Sequence, residues 1–171
     1  EISNIISYSN IFKSEIKKIE DKINFTFDKI NLIYRSDNLK CINISGSKNL
    51  AGSQLLEEDI SFILNNLKKE VSDNNPNFNI IHIFNSKFNL DNNEIINLPI
   101  GLNGEHYNHH LSFYLLPKNE IKNLKTVFSK CSLQINKIIM KSFIESVCEF
   151  KKRSSNENFF QILIEKDKSY I

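Results

Sequence analysis

The stretch NLPIGLNGEHYNHHLSFYL, residues 97–115, decides how this chain is read. Its second half alternates, with Tyr107, His109, Leu111, Phe113 and Leu115 interleaved with Asn108, His110, Ser112 and Tyr114. Successive side chains of a strand point to opposite faces, so the pattern predicts a strand with one buried face and one wetter face. The first half is the entry to that strand, a loop punctuated by Pro99, Gly101 and Gly104. Proline presets φ and glycine accepts turn geometries, so these three residues are expected to shape the loop. Glu105 and His106 stand beside it and are the candidate partner-touching residues.

Working outward, the upstream run Ile80 to Phe84 is apolar apart from His82, as in a buried strand, and Asp91 to Asn93 reads as a turn. Before it, Ile60, Ile63, Leu64, Leu67 and Val71 line one helical face behind Glu57, Glu58 and Asp59, whose charge suits a helix start. Farther upstream, Ile5, Phe12, Ile16, Ile19 and Ile23 predict an amphipathic helix over Glu1 to Ile23. Strands are expected over Phe25 to Tyr34 and Leu39 to Ile44, and a polar loop over Ser47 to Gln54.

Downstream, Pro117 breaks the alternating strand and Ile121, Leu124, Phe128 and Cys131 mark a helix. A strand from Ile135 to Met140, a helix around Ile144 to Phe150 ending in Lys151, Lys152 and Arg153, and a last strand from Phe159 to Ile164 complete the order. No internal repeat interrupts it, and an α/β core with an α+β insertion fits.

At 171 residues, with 40% hydrophobic and 25% charged content, the chain is long enough to bury a proper core and is expected to fold. A net charge of +2 gives no single-signed field that would select nucleic acid or anionic lipid. Three cysteines without CxxC spacing, Cys41, Cys131 and Cys148, suit reduced thiols and not a disulfide framework. No apolar run approaches the roughly 20 residues of a membrane-spanning helix. The chain opens at Glu1 without a methionine and stops at Ile171 inside an expected strand, which we read as an interior piece of a longer protein.

Chemistry-bearing clusters have structural explanations. His106, His109 and His110 suggest a metal site, since imidazole is a common ligand. On a strand, however, His109 and His110 face opposite sides, while His106 and His110 lie roughly 13 Å apart. Cys131 and Cys148 fall on apolar helical faces, where a thiol is usually an inert core residue. Gly101 and Gly104 lead into a strand and not a helix, so they form a structural turn rather than a phosphate cradle. No catalytic, cofactor-binding or metal-ligating residue is assigned.

The loop carries a family resemblance. Asn97-Leu98-Pro99-Ile100-Gly101-Leu102-Asn103-Gly104 resembles the stretch N-P-V-G-L/M-S-G of FtsA, the bacterial actin-like cell-division protein, with Pro99 one place late. Lys130-Cys131-Ser132-Leu133-Gln134-Ile135 resembles the family's R-C-G-L-x-V, and Ser142 to Phe150 follows in register with G-L-A-S-S-x-x-V-L. Ser132 and Ser142 stand where that family has glycines.

The resemblance implies residues 1–35 and 135–171 in an actin-like, ribonuclease H-like core and residues 36–134 in an inserted α+β interaction subdomain. It implies a scaffold at the inner face of the cell membrane at the division site. Late division proteins such as FtsN, and neighbouring subunits in a filament, are the implied partners. FtsZ and the membrane would be reached through regions beyond Ile171, and no nucleic-acid partner is implied. Where the family carries the ATP-binding D-I-G-G-G-T, the chain reads Ile164-Glu165-Lys166-Asp167-Lys168-Ser169-Tyr170, without glycine. Side chains there obstruct close backbone approach to phosphates, so no cofactor is expected in this segment. Two alternatives stay open: a working actin-like ATPase that uses Lys166 and Lys168 in a rebuilt loop, and a pilus-assembly scaffold resembling PilM.

Overall fold

The computed structural model describes residues 2–152, 163–164 and 169–170, with side chains from Ser9 to Lys152. Its elements are α1 (Ile2–Ile23), β1 (Lys29–Tyr34), β2 (Lys40–Asn49), α2 (Glu57–Asn74), β3 (Phe78–Leu90), β4 (Asn93–Ile95), β5 (His106–Pro117), α3 (Lys118–Lys130), β6 (Gln134–Met140), α4 (Lys141–Lys152), β7 (Leu163–Ile164) and β8 (Ser169–Tyr170). The fold is mixed α/β, as the order of periodicities predicts. None of the helices among the described residues is long and apolar enough to cross a membrane.

Four antiparallel strands form the main sheet in the order β2-β5-β3-β4, with the alternating stretch as the long strand β5 inside it. Its pattern is realised residue by residue: Tyr107, His109, Leu111, Phe113 and Leu115 are buried, and Asn108, His110, Ser112 and Tyr114 between them are less so. Helix α2 covers that face through Ile63, Leu67 and Val71. At the helix start, Asp59 accepts the Leu56 N–H at 3.0 Å and pairs with the Lys48 ammonium of β2. One carboxylate thereby caps the helix and ties it to the sheet.

Strand β2 runs through Asn49, well into the span expected to be loop. Gly46 explains the extension, because it pairs opposite His109 just where α2 crosses. A Cβ there would meet Ile63 Cγ2 at 2.6 Å, so the glycine admits the helix without ending the strand. Strand β3 is also longer than the apolar run, and that run is half-buried instead of fully buried. Two irregularities, after Ile80 and after Asn85, break its register with β5, and the deepest residues are Phe88 and Leu90 beyond them. Asp91 and Asn92 then turn the chain into β4 with φ of 50° and 66°, the left-handed pair that a tight hairpin demands.

A second, two-stranded sheet pairs β1 with β6 in parallel. Phe25 and Phe27 do not belong to β1 as expected. Asn24 takes φ 52° and the Phe25 N–H returns to the Glu20 carbonyl at 3.1 Å, which caps α1. The Glu20 carboxylate then accepts the Phe27 N–H at 2.8 Å, so the strand starts only at Lys29. Helix α3 lies against α1, with Phe12 and Phe128 ring centroids 5.8 Å apart, and the buried Cys131 thiol donates to the Ser9 carbonyl. Ser132 has φ 61°, a backbone that favours glycine, which is what the resembling motif carries at that place.

Cys148, expected on an apolar face of α4, is exposed instead. Of the expected last strand, Leu163 and Ile164 pair antiparallel with Ser169 and Tyr170. The remainder of it, and positions 165–168 of the glycine-less segment, lie outside the described residues.

Candidate functional site

At the end of the main sheet two loops zip together, residues 50–55 and the loop that forms the first half of the quoted stretch. The Leu50 N–H donates to the Glu105 carbonyl at 2.7 Å, Gly52 to Gly104 at 3.0 Å and Leu55 to Leu102 at 3.0 Å. In return Gly101 donates to Leu55 at 2.8 Å and Gly104 to Ser53 at 3.3 Å. Residues read as an independent polar loop after Ser47 are therefore half of the site's frame.

Each loop residue singled out from sequence has a distinct part in that frame. Pro99 is buried, and its carbonyl accepts the Leu102 N–H at 3.2 Å across a turn. Gly101 sits inside that turn at φ 82°. Gly104 is a packing glycine, because a Cβ there would lie 2.5 Å from Leu90 Cδ1. Glu105 and His106 are exposed, while their backbone is clamped from below. Asp91 does the clamping: its carboxylate accepts the N–H of Glu105 at 2.7 Å and of His106 at 2.9 Å. Those donors, His106 first, hold the Asp91 carboxyl below its ordinary value.

What this rigid frame presents to solvent is apolar. Leu56, Leu98, Ile100 and Leu102 are all exposed, and Ile96 is 93% exposed. Exposed aliphatics on a hydrogen-bonded frame mark an interaction surface more readily than a reaction centre. Sequence reasoning missed them because they are scattered over 56–102, and only the zipped loops draw them to one end. It missed Asp91 because an Asp-Asn pair after an apolar run signals a turn and nothing more.

The histidines divide as the strand geometry requires. His106 lies at the strand entry, while His109 is 2% exposed under α2, with Nε2 placed 2.9 Å from the Asn85 side-chain oxygen. Burial, and then the charge of His110, push the His109 pKa down. Tyr107 beside it is pushed up to about 12 by burial. His110 is on the opposite face, opposite Ser45 and Lys87. No group of three metal-ligating side chains converges among the described residues. Glu57 and Glu58 remain at the start of α2, with Asp59 capping it.

A fourth histidine joins the two sheets. His82 of β3 accepts the Met140 N–H on Nε2 at 3.2 Å and stacks near Phe84 and Phe143, with ring centroids 5.6 and 5.9 Å away. The joint is thus a specific, aromatic-lined contact where β6 passes into α4. Burial pushes the His82 pKa down, which keeps the accepting nitrogen unprotonated.

Comparison with known proteins agrees with this architecture. Residues 36–112 match the family model described as the SHS2 domain inserted in FtsA. Over 145 residues the chain is 21% identical to the cell division protein FtsA of Buchnera aphidicola subsp. Schizaphis graminum. That alignment covers 85% of this chain and 34% of the relative, so the chain spans about a third of the length of the curated relative that it matches. The matched domain begins between the two sheets, at Ser36, and ends within β5.

Proposed function

We propose, for a chain whose residues 36–112 match the SHS2 domain inserted in FtsA, that it acts in cell division and that the end of its four-stranded sheet is a docking surface for other division proteins. The observation that supports this is the pairing of a fixed frame with exposed aliphatics: Leu102 is exposed while its N–H and its carbonyl are hydrogen-bonded to Pro99 and Leu55, and Ile96, 93% exposed, follows directly on β4. Because the frame is already ordered, binding there loses little backbone entropy. Glu105 and His106 form the polar margin of the same patch. Partners include late division proteins such as FtsN and neighbouring copies in a filament, with the protein at the inner face of the membrane at the division site.

In this reading the segment is a scaffold and no enzyme. Glycine is absent from residues 164–170, which supports a protein that does not depend on ATP turnover there. Calorimetry on the full-length protein tests that part, and tight ATP binding would refute it.

Docking is tested by measuring the affinity of the full-length protein for itself and for the cytoplasmic segment of FtsN. The double variant Ile96→Ser with Leu102→Ser is expected to weaken one of these associations by about tenfold or more. Glu105→Ala with His106→Ala is expected to change it less, because rim charges contribute little. Unchanged affinity in both variants would remove this end of the sheet from the interface.

A further inference from the structure

The zipped loops hold a reactive pair. Of all the asparagines in the chain, Asn103 alone is followed by glycine. Asparagine is thermally labile because its side-chain amide can be attacked by the next backbone nitrogen. A side chain on that next residue hinders the attack, and glycine has none. Another residue would remove the hazard, but packing forbids it here. Gly104 is buried, and a Cβ on it would lie 2.5 Å from Leu90 Cδ1 and 2.9 Å from Leu90 Cγ. Asn103 itself is exposed, so water and base reach its amide.

The frame that requires the glycine also restrains it. Asn103 forms an antiparallel bridge with Gln54, and the Gly104 N–H donates to the Ser53 carbonyl at 3.3 Å. On either side the Leu55 N–H donates to the Leu102 carbonyl and the Gly52 N–H to the Gly104 carbonyl, both at 3.0 Å. These bonds hold the peptide planes before and after Asn103 in the extended form of an antiparallel pair. Ring closure needs the opposite: the Gly104 nitrogen must lose its proton, leave Ser53 and swing about the Asn103 ψ onto Cγ. At 3.3 Å the Gly104 bond is the longest of the five that join the two loops, so the reacting group is the one held least tightly.

We infer that Asn103 is a deamidation site gated by the opening of these loops. When they part, base takes the Gly104 proton and the nitrogen forms a bond to Asn103 Cγ. The Cγ–Nδ2 bond breaks, and Nδ2 leaves as ammonia with the proton that base removed. Water then opens the cyclic imide at Cγ to give aspartate, or at the main-chain carbonyl to give isoaspartate, in which the chain runs through Cβ and Cγ. Either product puts a carboxylate beside the exposed Leu102, and isoaspartate also lengthens the backbone that pairs with Gln54. The lost ammonia makes the step one-way, so the modified fraction records how long the loops have been open. The inference stands on the loop bonds and does not depend on what docks there.

The test incubates the whole chain in mildly alkaline buffer, folded and in urea, and follows the peptide that carries Asn103 by mass spectrometry. A protease that cuts before aspartate but not before isoaspartate separates the two products. The amide-to-acid mass gain at Asn103 is expected to be about tenfold or more slower in the folded chain, and the slowing should track the hydrogen-exchange protection of the Gly104 amide. Asp91→Gly removes the acceptor of the Glu105 and His106 N–H groups and suits the φ of 50° at that position. It should speed both the gain at Asn103 and the exchange at Gly104 by the same factor, about threefold or more. Asn85, which precedes Ser86 inside β3, should not follow, whereas a variant that merely unfolds would speed both sites. Equal rates in the folded and urea-treated chain would overturn the inference. So would earlier gain at another asparagine of the unfolded chain, or a quickened Gly104 exchange without a quickened gain at Asn103.

Discussion

The inserted sheet with α2 and the flanking unit of α1, β1 and β6 are made of similar residues and treat them differently. In the first, Leu55 and Phe113 are fully buried, and β5, α2 and the zipped loops close one core. In the second, Ile19 of α1 is 52% exposed and Ile33 of β1 is 53% exposed, beside Phe12, Ile23 and Phe25. The amphipathic pattern of α1 is therefore real, yet the described residues cover only part of its apolar face. One region supplies its own cover, while the other behaves as a layer that needs a neighbouring layer to bury its face.

The largest expected break in that contrast is Phe113→Ala. Phe113 sits at the centre of β5 with no exposed surface, and its removal leaves a cavity that strands on both sides cannot close. A loss of about 3–5 kcal/mol is expected in urea unfolding. A loss below about 1 kcal/mol would mean that this core is far looser than its burial implies.

Gly46→Ala should follow, because the new methyl meets Ile63 Cγ2 at 2.6 Å and Leu67 Cδ1 at 3.2 Å, where a helix rests on the sheet. Overpacking of this sort costs about 1–3 kcal/mol. Gly104→Ala should fall in the same range through Leu90, but Gly101→Ala, with open space and φ 82°, should lose only about 1 kcal/mol from backbone strain. Equal losses at all three would indicate that chain entropy and not contact sets the penalty.

Asp59→Asn should cost about 1 kcal/mol at neutral pH by weakening the helix cap and the tie to Lys48. The Lys48 contact, then the Leu56 N–H, hold the carboxyl below its ordinary value in the folded state. Its contribution is accordingly full above the ordinary aspartate range and is lost as pH falls through the lowered folded value. The variant should therefore lose less stability on acidification than the parent. Parallel pH profiles would show that Asp59 is not linked to folding.

The same contrast explains how much was legible beforehand. The strand β5 and helix α2 could be read because a self-contained core imposes its period on local sequence, as Tyr107 to Leu115 and Ile60 to Val71 do. The boundary of β2 could not, since Ser47 and Lys48 look like loop residues until the partner strand and the Asp59 contact are known. Phe25 and Phe27 were misread for the reverse reason: their β-forming side chains are overruled by the cap at Asn24. The loop's shaping residues were visible through proline and glycine chemistry, whereas its clamp Asp91 and its apolar crown depend on contacts between segments far apart in sequence.

The smallest effect is the one that sharpens the comparison most. Ile19→Ser, halfway along the uncovered face of α1, should shift the stability of this 171-residue chain by less than about 0.5 kcal/mol, because the side chain is already half in water and leaves no cavity. The matched relative is about three times as long as the aligned segment, so the same face has candidate cover in a full-length protein. There, Ile19→Ser should cost about 2 kcal/mol, the usual penalty for removing a buried aliphatic side chain. A large loss already present in the 171-residue chain, together with a concentration-dependent midpoint, would mean that copies of the chain cover α1 for one another. The two regions would then differ in where their cover comes from, and not in whether they have it.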